Sequence, residues 1–67
     1  MIKSRLKIML ATREMTQTEL AHRTGIRPPT ISAIANNSIK TLPISVIDRM
    51  CKELKCNVGD LFEYVED

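Results

Sequence analysis

Apolar residues recur at spacings of three and four along most of the 67-residue chain, and no run of alternating β-branched residues interrupts them. The pattern predicts an all-α protein. Ile2, Leu6, Met9 and Leu10 form the inner stripe of a first helix near residues 2–12, and a second helix is expected at about 17–23. Thr16 stands at its N-cap with Glu19 three residues on, a capping box in which each side chain satisfies a backbone N–H at the helix start. Met15, just ahead of the cap, can staple against Leu20 inside. Gly25 then closes the helix as a left-handed residue, because glycine has no Cβ to clash at positive φ.

The stretch GIRPPTISAIANN, residues 25–37, begins as a turn and continues as a helix. A helix leaves its first N–H groups without internal partners. Pro28 and Pro29 carry no N–H, so at the first two helical positions they remove two orphans rather than break a ladder. Proline also drives the preceding residue out of the α region, which makes Arg27 the non-helical cap. The third helix then runs to near Asn36, with Asn37 suited to the left-handed conformation beyond it. Ile31 and Ile34 point inward over Ile26, while Pro29, Ser32, Ala33 and Asn36 point outward. One face is core and the other is small and uncharged. A fourth helix is expected to begin at Pro43 and to bury Ile47, Met50, Cys51 and Leu54. Asn57 with Asp60 three residues on caps a last helix that carries Val58, Leu61 and Phe62 inward. Residues Tyr64 to Asp67 receive no assignment.

Length narrows the picture further. A chain of 67 residues closes one small core, so residues 1–67 are expected to form a single domain. Cys51 and Cys56 have no second cysteine pair or His cluster near them, which excludes the usual zinc spacing and a disulfide framework. Cys51 reads as a small core residue. Lys3, Arg5 and Lys7 fall where a signal peptide needs its apolar run, and no stretch approaches about 18 uninterrupted apolar residues. A cytoplasmic chain with no membrane partner is expected. Net charge is only +2, but residues 1–40 carry seven Lys/Arg against Glu14 and Glu19, a net of +5, and residues 41–67 carry −3. The basic half should face a polyanion and the acidic half should face away. Two aromatics, Phe62 and Tyr64, are too few for a base-stacking platform.

Two helices of about two turns, joined by a tight Gly-containing turn, must cross steeply, and only a small side chain such as Ala21 fits where they approach. The segment TQTELAHRTGIRPPTISAIANN resembles the helix-turn-helix of the phage repressor and Cro-like (XRE) family of bacterial DNA-binding proteins. The resemblance rests on Gln17, Glu19, Leu20, Ala21, Gly25, Ile31, Ile34 and Asn36, and it extends over about residues 3–62. It implies a compact five-helix, lambda-repressor-like domain whose third helix enters the major groove of double-stranded DNA, and a transcriptional regulator, expected to be a repressor. Carried over by residue, it places Gln17 on a phosphate at the positive end of the second helix. Arg27 reaches a guanine edge or a phosphate. Thr30 and Ser32 offer hydroxyls, and Asn36, Asn37 and Lys40 meet backbone phosphates.

Pro28, Pro29 and Ala33 depart from the family at the positions that read bases. They cannot donate to a base edge, but they can press on thymine methyls, and they leave more of the specificity to Arg27 and to DNA shape. Homodimerisation is expected, through Leu61, Phe62, Tyr64 and Val65 near the C-terminus. A rival reading is a protein-interaction or antitoxin-like module whose DNA contact is secondary. An enzyme is not expected, since the one histidine, His22, has no nucleophile or orienting acid at a usable spacing. No metal, cofactor or small-molecule ligand is expected either, because so small a core has no pocket to spare.

Overall fold

Seven elements follow one another in a computed structural model that describes residues 1–66: β1 (Ile2–Ser4), α1 (Leu6–Thr12), α2 (Gln17–Thr24), α3 (Pro28–Ala35), α4 (Ile44–Leu54), α5 (Val58–Leu61) and β2 (Phe62–Tyr64). The helix ends fall where side-chain chemistry requires them. Thr16 Oγ1 accepts from the Glu19 N–H at 3.0 Å while Glu19 Oε1 accepts from the Thr16 N–H at 3.2 Å, which completes the capping box of α2. Gly25 closes α2 at φ +74°, and its N–H returns to the Ala21 carbonyl at 2.9 Å. Arg27 is extended (φ −63°, ψ 136°), as the proline after it demands, and α3 starts on Pro28 and Pro29. Asn37 is left-handed at φ +59°. The Asn57–Asp60 pair forms a second capping box, at α5.

Two short strands correct the all-α expectation. β1 and β2 pair antiparallel with Ile2 opposite Tyr64, Lys3 opposite Glu63 and Ser4 opposite Phe62. The first helix therefore begins at Leu6 rather than near residue 2, and Ile2 lies in a strand, 61% exposed, instead of on an inner helical stripe. The physical reason is long-range. The backbone of residues 1–5 is held by the C-terminal segment, through Val65 N–H to the Met1 carbonyl (2.8 Å) and Arg5 N–H to the Leu61 carbonyl (2.7 Å). Of the segment left without assignment, Tyr64 ends β2, while Phe62, expected on the last helix, opens that strand; Asp67 itself lies outside the described residues.

Smaller corrections concern α4 and α5. Pro43 is the extended cap of α4 (ψ 141°), and the first helical residue is Ile44. Ile47 and Cys51 are half-buried where full burial was expected, while Met50 and Leu54 are buried. Val58, expected inward, is 52% exposed, because α5 is a single turn and only its last residue, Leu61, reaches the core.

The core is built from Leu6, Leu20, Ile31, Ile34, Met50 and Leu61, all with under 2% exposure, and no polar side chain is buried among the described residues. Each such side chain contributes about 1.5–3 kcal/mol by leaving water. α2 packs against both α3 and α4, so the α2–α3 pair is backed by the longest helix of the molecule.

Candidate nucleic-acid interface

The α2–α3 corner is made by Gly25, Ile26 and Arg27. Ile26 is 5% exposed and plugs the inside of the turn. Thr24 locks it from the outside: its hydroxyl donates to the Leu20 carbonyl at 2.7 Å and accepts from the Ile26 N–H at 3.2 Å. Ala21 is buried where the two helices approach, as its size predicts. The Thr24 clasp was missed by the sequence reading, although a threonine at the end of a helix just before a glycine is a signal for it.

α3 has two different sides. Ile31, Ile34 and Ala35 are buried, while Pro28, Pro29 and Asn36 are exposed. Ser32 and Ala33 belong to the outer side but are only half-exposed. The chain beyond α3 folds back on its end here: the N–H groups of Ser38 (2.9 Å) and Ile39 (3.2 Å) both donate to the Ala33 carbonyl. Thr30 is half-buried, flanking this side. Asn36 Nδ2 donates to Ser32 Oγ at 3.3 Å, so these two polar groups lie together on one stripe.

Of the remaining residues singled out from the sequence, Gln17 is the first residue of α2 and half-buried, Arg27 is exposed at the start of α3, and Lys40 is exposed in the loop that follows. Arg27 and the α2 residues Thr18 and His22 line one shallow trough at the corner, so the cation and the outer side of α2 are brought together. Asn37 carries a second duty that the sequence did not reveal. Its Oδ1 accepts from the Ser4 N–H at 2.7 Å and ties β1 to the end of α3, while its Nδ2 is the donor left for another group.

The charge separation along the chain is partly undone by folding. Arg5 pairs with Glu63 (3.8 Å) and Arg23 with Glu53 (3.6 Å), so two acids of the C-terminal half reach across to cations of the basic half. Arg13 is also engaged, donating from Nη2 to the Leu54 carbonyl at 2.9 Å. Of the other cations among residues 1–40, Lys3, Lys7, Arg27 and Lys40 stand outside these ion pairs. No cluster of three or more metal-ligating side chains occurs among the described residues, and no helix is long and apolar enough to cross a membrane. A surface hollow of about 400 Å³ does exist beside β1 and the α3–α4 loop, lined by Ile2, Ile34, Ile39 and Leu42 among others.

Known proteins share this arrangement. The chain is similar to the uncharacterised HTH-type transcriptional regulator YozG of Bacillus subtilis (strain 168), with 39% identity over 62 residues that cover 92% of this chain and 74% of that protein. Its fold matches the crystal structure of the transcriptional regulator VanUg with a TM-score of 0.81 at 24% identity, covering 98% of this chain and 87% of that one. A candidate DNA-binding protein from Bacteroides fragilis matches with a TM-score of 0.79, also at 24% identity, over 94% of this chain and all of the other. The model of the Cro/C1-type HTH DNA-binding domain matches residues 5–67, nearly the whole molecule, and the chain belongs to that family of DNA-binding domains.

Proposed function

We propose that this chain is a cytoplasmic transcriptional repressor in which residues 1–67 form one DNA-binding domain and α2 and α3 are its helix-turn-helix. The observation that carries the reading is the asymmetry of α3: three buried apolar residues on one side, and an exposed, uncharged side rimmed by Arg27. Eight residues make a rod of about 12 Å, and a helix about 10–12 Å across fits a major groove about 12 Å wide. Pro28, Pro29 and Ala33 press on the groove floor without donating hydrogen bonds, while Thr30, Ser32 and Asn36 supply the polar contacts. Gln17 meets a phosphate at the N-terminus of α2, where free N–H groups favour an anion. Asn37, through Nδ2, and Lys40 meet phosphates at the far end. Specificity then rests on Arg27, thymine-methyl contact and the shape of the duplex.

One such domain covers only a few base pairs. Two copies on half-sites about 34 Å apart give a usable operator, so the active species is a homodimer. Phe62, Tyr64 and Val65 near its C-terminus are the side chains for that contact, since Tyr64 is 70% exposed. Leu61 belongs to the core instead, at 1% exposure. A strict monomer in sedimentation at micromolar concentration, with and without DNA, overturns the dimer.

Selection of bound sequences from random duplex DNA, followed by a salt titration on the winner, tests the reading as a whole. The expected result is one enriched motif and an affinity that falls with salt at a slope of about −0.9 per neutralised phosphate. Affinity indifferent to salt defeats it. The lack of donors at Pro28, Pro29 and Ala33 favours one alternative, an antitoxin-like module that docks another protein through this face. Loss of a protein partner on Ala33→Arg with DNA affinity retained selects that alternative.

A further inference from the structure

The corner between α4 and α5 brings together the two cysteines of the chain. Lys55 ends α4 in the left-handed conformation (φ +51°, ψ 53°), and this reversal lets the Cys56 N–H donate to the Cys51 carbonyl at 3.1 Å. Such a six-to-one return bond is a Schellman closure, and it lays the side chain after the turn over the one that opens it. Here those side chains are both thiols, on residues joined by that 3.1 Å backbone bond. Each is half-buried against the core, held from the inside while part of it remains open to solvent.

We propose that Cys51 and Cys56 form a reversible intramolecular disulfide, a modification site that staples the α4–α5 corner when the chain meets a two-electron oxidant such as a peroxide or a small-molecule disulfide. A disulfide spans a Cα separation of about 4.4–6.8 Å, and the 3.1 Å backbone bond ties Cys56 directly to Cys51. With hydrogen peroxide, a thiolate attacks one oxygen, the O–O bond breaks, and a sulfenic acid and hydroxide form. The second thiol then attacks that sulfur, the S–O bond breaks, and the S–S bond forms. Two thiols and one peroxide give one disulfide and two waters, with sulfur losing two electrons and peroxide gaining them. Burial, with the Cys51 thiol beside it and Asp60 nearby, pushes the Cys56 thiol up against the opposing pull of Arg13. The staple closes on the corner where Arg13 holds the Leu54 carbonyl, so it stiffens the joint between α4 and the α5–β2 segment. It does not depend on the DNA-binding reading.

The test uses the full chain, reduced and then treated with stoichiometric hydrogen peroxide. The expected product is a monomer lighter by about 2 Da with no free thiol. Lys52 and Lys55 lie between the cysteines, so trypsin should release residues 50–52 covalently linked to residues 56–67. In glutathione redox buffers the folded chain should favour the disulfide at least about tenfold over the chain in guanidinium, and the oxidised form should melt about 5–15 °C higher. Cys51→Ser and Cys56→Ser should each block the 2 Da loss. Independent oxygen addition at each cysteine, a covalent dimer, or an equal preference in folded and unfolded chains overturns the proposal.

Discussion

The α2–α3 corner and the α4–α5 corner are assembled from the same parts and come to different ends. In each, a helix closes on a left-handed residue, Gly25 at φ +74° or Lys55 at φ +51°. A capping box opens the helix before the first corner, Thr16–Glu19 at α2, and the helix after the second, Asn57–Asp60 at α5. At the first corner the residue in the left-handed region is the one that adopts it freely, and eight-residue helices stand on both sides. At the second, a lysine carries the conformational cost and the helix that follows is a single turn. The first corner holds its helices by core packing from Ile26 and Ile31. The second rests on Leu54 and Leu61 and is tied by hydrogen bonds from Cys56 to Cys51 and from Arg13 to Leu54. A local motif thus fixes a chain reversal, but what lies behind it decides whether the reversal presents a rigid helix or merely redirects the chain.

The largest disturbance of this contrast comes from removing the packing under the first corner. Ile31 is fully buried, so Ile31→Ala should cost about 2–5 kcal/mol in urea unfolding, enough to unfold much of a small domain and to take the α3 face with it. Arg27→Ala separates the interface from the scaffold. It should weaken the selected duplex by about 1–3 kcal/mol and relax preference at one base pair while the melting temperature stays put. Equal affinity for every sequence in wild type and variant removes Arg27 from the site.

The next pair of substitutions sharpens the corner comparison itself. A Cβ at Gly25 meets no atom within 4 Å, so Gly25→Ala should cost only the left-handed penalty of about 1–2 kcal/mol. Lys55→Gly should do the reverse and leave stability unchanged or raise it by up to about 1 kcal/mol, since relief of strain offsets the entropy of the unfolded chain. A loss from Lys55→Gly as large as that from Gly25→Ala would show that the lysine does more than turn the chain. The smallest effect belongs to the surface ion pairs: Glu63→Gln should shift stability by about 0–1 kcal/mol, and by less in high salt.

The parts of the fold legible in the sequence were those whose causes sit within a few residues. The ends of α2, the proline start of α3, the left-handed Asn37 and the inward Ile31 and Ile34 follow from capping, the missing proline N–H and helical periodicity. The outward positions of Pro29 and Asn36 follow from the same wheel. What escaped was fixed by partners far along the chain. Ile2 reads as a helical residue until the backbone of Tyr64 lies opposite it. Asn37 reads as a helix stop, and its hold on Ser4 crosses 33 positions. Arg5 and Arg23 read as cations for a polyanion until Glu63 and Glu53 meet them.

Local backbone chemistry in the sequence therefore determined where helices start, stop and turn, and periodicity determined which side of each faced inward. Tertiary structure alone decided that the two ends of the chain pair as strands and which cations keep their charge unshared. Caps and turns are settled by neighbours a few bonds away, whereas these depend on which distant segments the core brings together.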